Sequence, residues 1–317
     1  MNKRRVGIVG VGNVGSSIAY KLAFQELCDE ILLKDIREDF TKAIALDISQ
    51  AISYKNIKTT IKAISLDEDF KDCDIVVITA GIARKPDMSR DDLLFTNANI
   101  MNSIVKNIAK YNPNSILIVV SNPLDAMVYQ ALKTSNFPRE KVFGMAGILD
   151  SSRMSYFIKE KLGNKDIEAM VLGGHGDDMV PLIKHTKVDN IALDELLDEN
   201  EIEDIVEKTR KGGLQIVELL KTGSAYFAPA QSTFLMLESI LKDKKTIYPC
   251  AVLLDGEYGY SNVVTGVPVI LGKNGVEKIV ELELTNKEKD EFAKSVNSVK
   301  NLIDKIKDKF KIEYCVF

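Results

Sequence analysis

Six residues, Gly10-Val11-Gly12-Asn13-Val14-Gly15, restrict the fold of this chain more than any other stretch. They follow a short run rich in valine and isoleucine, Arg5 to Val9. They open a segment of helical spacing with Ile18, Leu22 and Ala23 on one face and Cys28 near its end. A second apolar run, Glu30 to Lys34, is closed by Asp35, 20 positions after Gly15. Glycines at this spacing are weak evidence alone. Between a strand and a helix, with an acidic residue ending the next strand, they are a strong dinucleotide-binding signal. Glycine permits the tight turn and close backbone approach, and the helix N-terminus suits the charge of a pyrophosphate. Asp35 is expected to accept hydrogen bonds from the adenosine ribose and to repel a 2′-phosphate, which favours NAD. Arg37, two residues on, is of the type that can serve NADP.

The alternation of strand and helix continues. Phe40 to Ala51 has a helical pattern, Lys58 to Ile64 reads as a strand, and Asp74 to Thr79 reads as a buried strand, apolar on both faces as parallel strands are. Then come a loop carrying Arg84 and Arg90, a long helix to about Lys110, a strand from Ser115 to Val120, and Ser121-Asn122-Pro123-Leu124-Asp125. This order predicts a Rossmann-type, doubly wound parallel α/β sheet over residues 1–145. Ligands bind at the carboxyl ends of such strands, where Gly10, Asp35, the Arg84–Arg90 loop and Asn122 all fall.

Residues 146–317 read as an α+β substrate domain with antiparallel strands, joined to the first by a packed boundary. Helices are expected from Gly147 to about Leu162, from Glu201 to Leu220 with a kink at Gly212-Gly213, and from Tyr226 to Leu241 with Pro229 in its first turn. Glu168 to Leu172 reads as one strand, and antiparallel strands are expected over 247–254, 266–271 and 276–284. Thr285 and Glu288 have capping-box spacing. The last helix should bury Phe292, Val296, Val299, Leu302 and Ile306.

Charge and cysteine use narrow the partners. The net charge of −4 gives no basic footprint, so nucleic acid is not expected, and an anionic substrate would need a local cluster of arginines. The four cysteines are far apart, with no CxxC, which argues against a zinc site or a disulfide framework and suits the cytoplasm. No stretch approaches the roughly 20 apolar residues of a membrane span. Lys3-Arg4-Arg5 precedes an apolar run that glycines interrupt, with no small-residue cleavage site, so a signal peptide is not expected.

Only two histidines are available for imidazole chemistry, His175 and His185. His175 lies in Leu172-Gly173-Gly174-His175-Gly176-Asp177-Asp178, where glycines allow close approach to a ligand and the imidazole titrates near neutrality. His185 has basic neighbours and reads as structural or exposed. Asp150 and Arg153, at i and i+3, share a helical face, a spacing that also suits an ordinary surface ion pair.

The stretches GVGNVG (10–15), ITAGIARKPDMSRDDLL (78–94), VVSNPLD (119–125), GILDSSR (147–153), GGHGDDMVPL (173–182) and KTGSAYFAPA (221–230) together resemble the L-lactate/L-malate dehydrogenase family, over essentially the full length. Arg84 before Lys85-Pro86, and Gly174 before the histidine, resemble its malate branch. Lactate enzymes usually carry glutamine and glutamate there. Ser152, Met154 and Lys34 depart from the usual pattern, and the tail Glu313 to Phe317 is unlike it.

The resemblance implies His175 as the proton acceptor and donor, with Asp150 on its other ring nitrogen. It implies that Arg153 holds the substrate C1 carboxylate, that Arg84 binds a second carboxylate, and that Arg90 polarises the carbonyl when the loop closes. Asn122 would contact substrate and the nicotinamide ribose. Gly10, Val11, Gly12, Asn13, Val14, Gly15, Asp35, Asn97, Val120 and Ser121 would form the NAD site. A small dicarboxylate substrate and a homo-oligomer, dimer or tetramer, are implied as well. An L-lactate or other 2-hydroxy acid dehydrogenase is the alternative within the family. A catalytically silent NAD-binding module is the alternative outside it, against which His175, Asp150 and Arg153 are all present.

Overall fold

The computed structural model describes residues 3–54, 56–83 and 88–314. The first half runs β1 (Arg5–Val9), α1 (Asn13–Phe24), β2 (Glu30–Lys34), α2 (Glu38–Ser53), β3 (Thr60–Ala63), β4 (Ile75–Ile78), α3 (Arg90–Tyr111), β5 (Ile116–Val119), α4 (Leu124–Ser135) and β6 (Val142–Gly144). These strands lie in the order β6-β5-β4-β1-β2-β3 and pair in parallel. Every residue of β4 and β5 is buried, as a sheet covered by helices on both faces requires. The order reverses at β1, which has β2 on one side and β4 on the other, so a crevice opens at its carboxyl end. Helix α1 stops at Phe24, and Glu26 takes a left-handed conformation. Cys28 is therefore buried in the turn into β2, not in the helix as its spacing suggested.

The second half runs α5 (Gly147–Leu162), β7 (Ile167–Glu168), β8 (Val171–Leu172), β9 (Val180–Pro181), β10 (Lys187–Val188), β11 (Ile191–Ala192), α6 (Leu193–Leu196), α7 (Glu199–Leu220), α8 (Phe227–Leu241), β12 (Thr246–Asp255), β13 (Ser261–Gly272), β14 (Gly275–Ile279) and α9 (Asn286–Tyr314). Strands β12, β13 and β14 are antiparallel, as expected. They extend the parallel sheet itself, in the order β14-β13-β12-β6, with Ala251 opposite Gly144.

Three local expectations change. The single strand expected over 168–172 divides at Ala169-Met170, because β7 pairs with β10 while β8 pairs with β9. Helix α7 runs through Gly212-Gly213 as one helix. These glycines instead make room for α5: a Cβ on Gly213 would lie 3.1 Å from Arg153 Nη2, and one on Gly212 would lie 3.4 Å from Phe157. Strand β14 ends at Ile279, five residues short of Leu284.

Thr285 and Glu288 form the reciprocal cap of α9, with the Thr285 N–H donating to Glu288 Oε2 at 2.7 Å and the Glu288 N–H donating to Thr285 Oγ1 at 3.3 Å. That helix buries Phe292, Val296, Val299, Ile303 and Ile306, whereas Leu302 is only partly buried. Helix α4 is buried over most of its circumference, packed against β5, β6, β12, β13, α3 and α9. No helix among the described residues is long and apolar enough to cross a membrane.

Candidate active site

The His175 turn is pinned on three sides before any ligand is considered. Gly173 has a φ of +87°, open to glycine at little cost, and exchanges both backbone hydrogen bonds with Gly266 of β13, at 2.9 and 3.0 Å. The Gly174 N–H donates to Ser295 Oγ of α9 at 2.8 Å. The His175 N–H donates to Asp125 Oδ2 of α4 at 2.9 Å.

Helix α5 meets this turn closely because it begins with glycine: a Cβ on Gly147 would lie 2.4 Å from the Val171 carbonyl oxygen. One turn later Ser151 Oγ accepts the Val171 N–H at 3.0 Å. The neighbouring Asp150 then reaches His175, with Oδ2 2.9 Å from Nδ1. Its other oxygen accepts from Arg153 Nη1 at 3.1 Å. The side chain of Asp150 is 2% exposed and those of His175 and Arg153 are 15% exposed. The i, i+3 pair is thus no surface ion pair. One buried carboxylate bridges an imidazole and a guanidinium.

Burial opposes the charged imidazole, and so does Arg153. The charge and hydrogen bond of Asp150 outweigh them, with a smaller contribution from Asp125, and His175 titrates above its ordinary value. At Asp125, by contrast, burial prevails. Its carboxyl is pushed up to about 6, although the His175 N–H and the imidazole pull it down. A cleft of about 150 Å³ lies in front of His175 and Arg153, and Val14, Val120, Asn122, Gly213 and Ser224 are among its walls. It joins the carboxyl ends of β1 and β5 to the imidazole.

The lactate/malate dehydrogenase NAD binding domain matches residues 4–144, and the alpha/beta C-terminal domain of the same family matches residues 148–310. The chain belongs to the lactate/malate dehydrogenase family. It is 59% identical to the malate dehydrogenase of Aliarcobacter butzleri over 312 residues, 98% of this chain and 99% of the other. The solved malate dehydrogenase of Picrophilus torridus, in its apo form, superposes with a TM-score of 0.95 at 40% identity, covering 98% of this chain and 100% of that one. The lactate dehydrogenase of Cryptosporidium parvum, complexed with lactic acid and nicotinamide adenine dinucleotide, gives a TM-score of 0.92 at 38% identity, covering 96% and 98%.

The cofactor of this family member is NAD, and the three glycines of its fingerprint fit that ligand in different ways. A Cβ on Gly10 would lie 2.5 Å from the Ala80 nitrogen, and one on Gly15 would lie 2.0 Å from the Gly10 oxygen, so the protein's own packing requires both. A Cβ on Gly12 would meet nothing within 4 Å. Gly12 leaves space that the protein does not fill, at the N-cap of a helix with no side-chain cap, as a pyrophosphate cradle needs.

Asp35 accepts the Val11 N–H at 2.8 Å and is held on both oxygens by Arg37, at 3.0 and 3.1 Å. Burial would raise the Asp35 carboxyl, but the bonds from Arg37 and Val11 prevail and hold it below the usual range. Asn13 is exposed as the first residue of α1.

The remaining expected site residues divide into those at the cleft and those behind it. Val14, Val120 and Asn122 face it. Ser121 is buried, its hydroxyl donating to the Ala80 carbonyl at 2.5 Å. Asn97 is buried too. Its Oδ1 accepts the Ile82 N–H at 2.9 Å and its Nδ2 donates to the Asn122 carbonyl at 2.7 Å, so it clamps together the chain ends after β4 and β5. Arg90, expected on a loop, is the exposed first residue of α3, because Ser89 directly before it and Asp92 two residues after it form the capping box that starts the helix. It is not among the residues lining the cleft. Arg84 lies outside the described residues.

Lys34 pairs with Asp67 at 2.5 Å, which accounts for a lysine beside Asp35. His185 is half-buried and bonds the Glu283 carbonyl at 2.9 Å. Sequence reasoning gave no role to Met145, Leu149, Gly213, Ser224, Ala225 or Pro229, all of which line the cleft. The Gly-Ser-Ala run before α8 was a visible signal.

Proposed function

We propose that this chain interconverts (S)-malate and oxaloacetate. The observation that carries this reading is the buried Asp150 bridging His175 Nδ1 and the Arg153 guanidinium at the cleft. NAD, when bound, supplies the hydride acceptor for oxidation and the donor for reduction. With Nδ1 held by Asp150, Nε2 is the nitrogen free to take the hydroxyl proton of malate, and the imidazolium returns it in the reverse direction. Asp150 fixes the tautomer and balances the charge that forms. Arg153 presents the ends of its fork to the C1 carboxylate, and Asn122 lines the same wall.

Arg84, on its sequence position alone, receives the second carboxylate. Arg90 polarises the reacting carbonyl from the start of α3. The exposed Tyr20, Phe24, Phe40, Leu46 and Tyr54 on α1, α2 and the chain just after it support a homo-oligomer. The free, buried Cys28, Cys73 and Cys250 support a cytoplasmic setting.

The test is NADH consumption with oxaloacetate and with pyruvate, for the parent and for Arg84→Gln. An unpartnered charge in a water-poor pocket costs roughly 3–5 kcal/mol, so the parent should favour oxaloacetate by at least about a hundredfold in kcat/KM. Arg84→Gln should lower oxaloacetate reduction and raise pyruvate reduction. A parent that prefers pyruvate, or a variant that loses both activities in proportion, overturns the reading.

A further inference from the structure

The first turn of α4 holds a carboxylate to which the reaction above assigns no part. We infer that Asp125 is a positioning residue for proton transfer: it fixes the backbone of His175 from the same stretch of chain that carries Asn122, and places a negative charge behind the imidazole. The inference rests on reading His175 as the acid and base.

Three consecutive N–H groups of the His175 turn are anchored on three different elements: Gly173 on β13, Gly174 on α9 and His175 on α4. For Gly174 a neutral serine hydroxyl suffices. For His175 the acceptor is a carboxylate, and an expensive one. Asp125 is 5% exposed, and its Oδ1 is buried without a hydrogen-bond partner among the described residues. A lone buried carboxylate is disfavoured unless its charge meets an opposite one. Here the opposite charge is the imidazolium formed when malate is oxidised.

The charged groups that act on Asp125 and on the imidazole are His175, Asp150 and Arg153. The groups of α9 that meet Gly174 are Ser295 and Val299, both uncharged. Asp150 therefore holds the ring through Nδ1 while Asp125 holds the peptide from which the ring projects. Helix α4, buried nearly all round, gives that second hold a rigid base. Asn122 immediately precedes the helix and lines the cleft. The spacing between the proton-transfer nitrogen and the substrate wall is thus set within one short segment.

Asp125→Ala, Asp125→Asn and His175→Asn test this as the full-length protein, by steady-state kinetics of oxaloacetate reduction across pH and by NADH fluorescence titration. Asp125→Ala should lower kcat by about tenfold or more, because a misplacement of about 1 Å costs on that scale or above, with NADH affinity within about twofold of the parent. Asp125→Asn keeps an oxygen to accept the His175 N–H and should recover kcat to within about threefold of the parent. It removes the charge, so His175 should titrate lower. Reduction uses the imidazolium, and its fall on the alkaline side should come at lower pH, by at least about 0.3 unit.

Parent-like kcat in Asp125→Ala overturns the proposal. So does an Asp125→Asn as impaired as the alanine variant, or one whose alkaline limb has not moved. If His175→Asn is inactive while the Asp125 variants behave like the parent, only the Asp125 inference fails. If His175→Asn retains turnover, the acid–base reading beneath it fails first.

Discussion

At the carboxyl end of β1 the chain removes side chains, and at the start of α5 it crowds them together. Gly10, Gly12 and Gly15 clear a path for backbone and ligand, and the one acidic group there, Asp35, is already neutralised by Arg37. Around α5, Asp150, Arg153 and His175 share hydrogen bonds in a buried cluster, and the glycines facing that helix admit a neighbour, as Gly213 admits Arg153. The first region is built to recognise a ligand, in the proposed reading, mainly by shape and backbone donors. On the function proposed above, the second does chemistry by holding opposite charges close, where the surroundings amplify them. Errors in the two regions should therefore look different. In the first they should appear as lost cofactor affinity, in the second as lost turnover.

The strongest test of that division is Asp150→Asn. Turnover should fall by roughly 10³–10⁴, the scale seen when an aspartate that orients a catalytic histidine is made neutral, with NADH binding unchanged. The pH dependence carries a sign. His175 titrates above its ordinary value because of Asp150, so the parent keeps its imidazolium, and hence oxaloacetate reduction, to higher pH. The residual activity of the variant should decline at lower pH than the parent's. An unmoved profile would separate Asp150 from the proton.

A glycine pair sharpens the contrast further. Gly213→Ala pushes on Arg153 and should cost about ten- to a hundredfold in kcat/KM for oxaloacetate, without affecting NADH. Gly12→Ala enters the open space proposed for the pyrophosphate and should raise the NADH Kd by about tenfold. Its effect on stability should stay within about 0.5 kcal/mol, since nothing of the protein lies within 4 Å of the added carbon. Thermal unfolding beside the titration decides this. A large loss of stability in Gly12→Ala would remove the distinction between glycines that serve the fold and the one that serves the ligand.

The smallest effect belongs to Arg37→Ala. It frees Asp35 to repel a 2′-phosphate, so the preference for NADH over NADPH should widen about two- to fivefold, the range of an exposed ion pair. A narrowed preference would mean that Arg37 itself, and not only Asp35, disfavours the phosphate of NADPH.

The first region was legible because its signal is local. The fingerprint, its flanking strands and Asp35 fall within 31 residues, from Arg5 to Asp35, and parallel strands buried on both faces declare themselves by composition. In the second region the residue types were visible but their surroundings were not. The spacing of Asp150 and Arg153 shows a shared helical face, yet only the arrival of His175 from 25 residues away shows that the pair is buried and bridging. Asp125 lay inside a stretch that marks the family, but its partner is 50 residues downstream. Gly212-Gly213 reads as a kink in sequence, and only the neighbouring helix shows it to be clearance. The strand over 168–172 divided because each half found a different partner, a choice that local pattern does not encode.

The meeting of β6 with β12 has a consequence for any attempt to recombine this protein with its relatives. Val142, Phe143 and Gly144 on one strand, and Cys250, Ala251 and Val252 on the other, are all buried at a join where Ala251 stands opposite Gly144. A crossover between parents placed near residue 145 is convenient in sequence, because family boundaries fall there. It nevertheless divides one sheet between two ancestries. A chimera made at that point inherits each half intact and must still reconcile two apolar strand edges that evolved for other neighbours. Where they do not match, each becomes an open template for strands of other molecules, so the yield of soluble chimera depends on a handful of side chains that touch neither substrate nor cofactor.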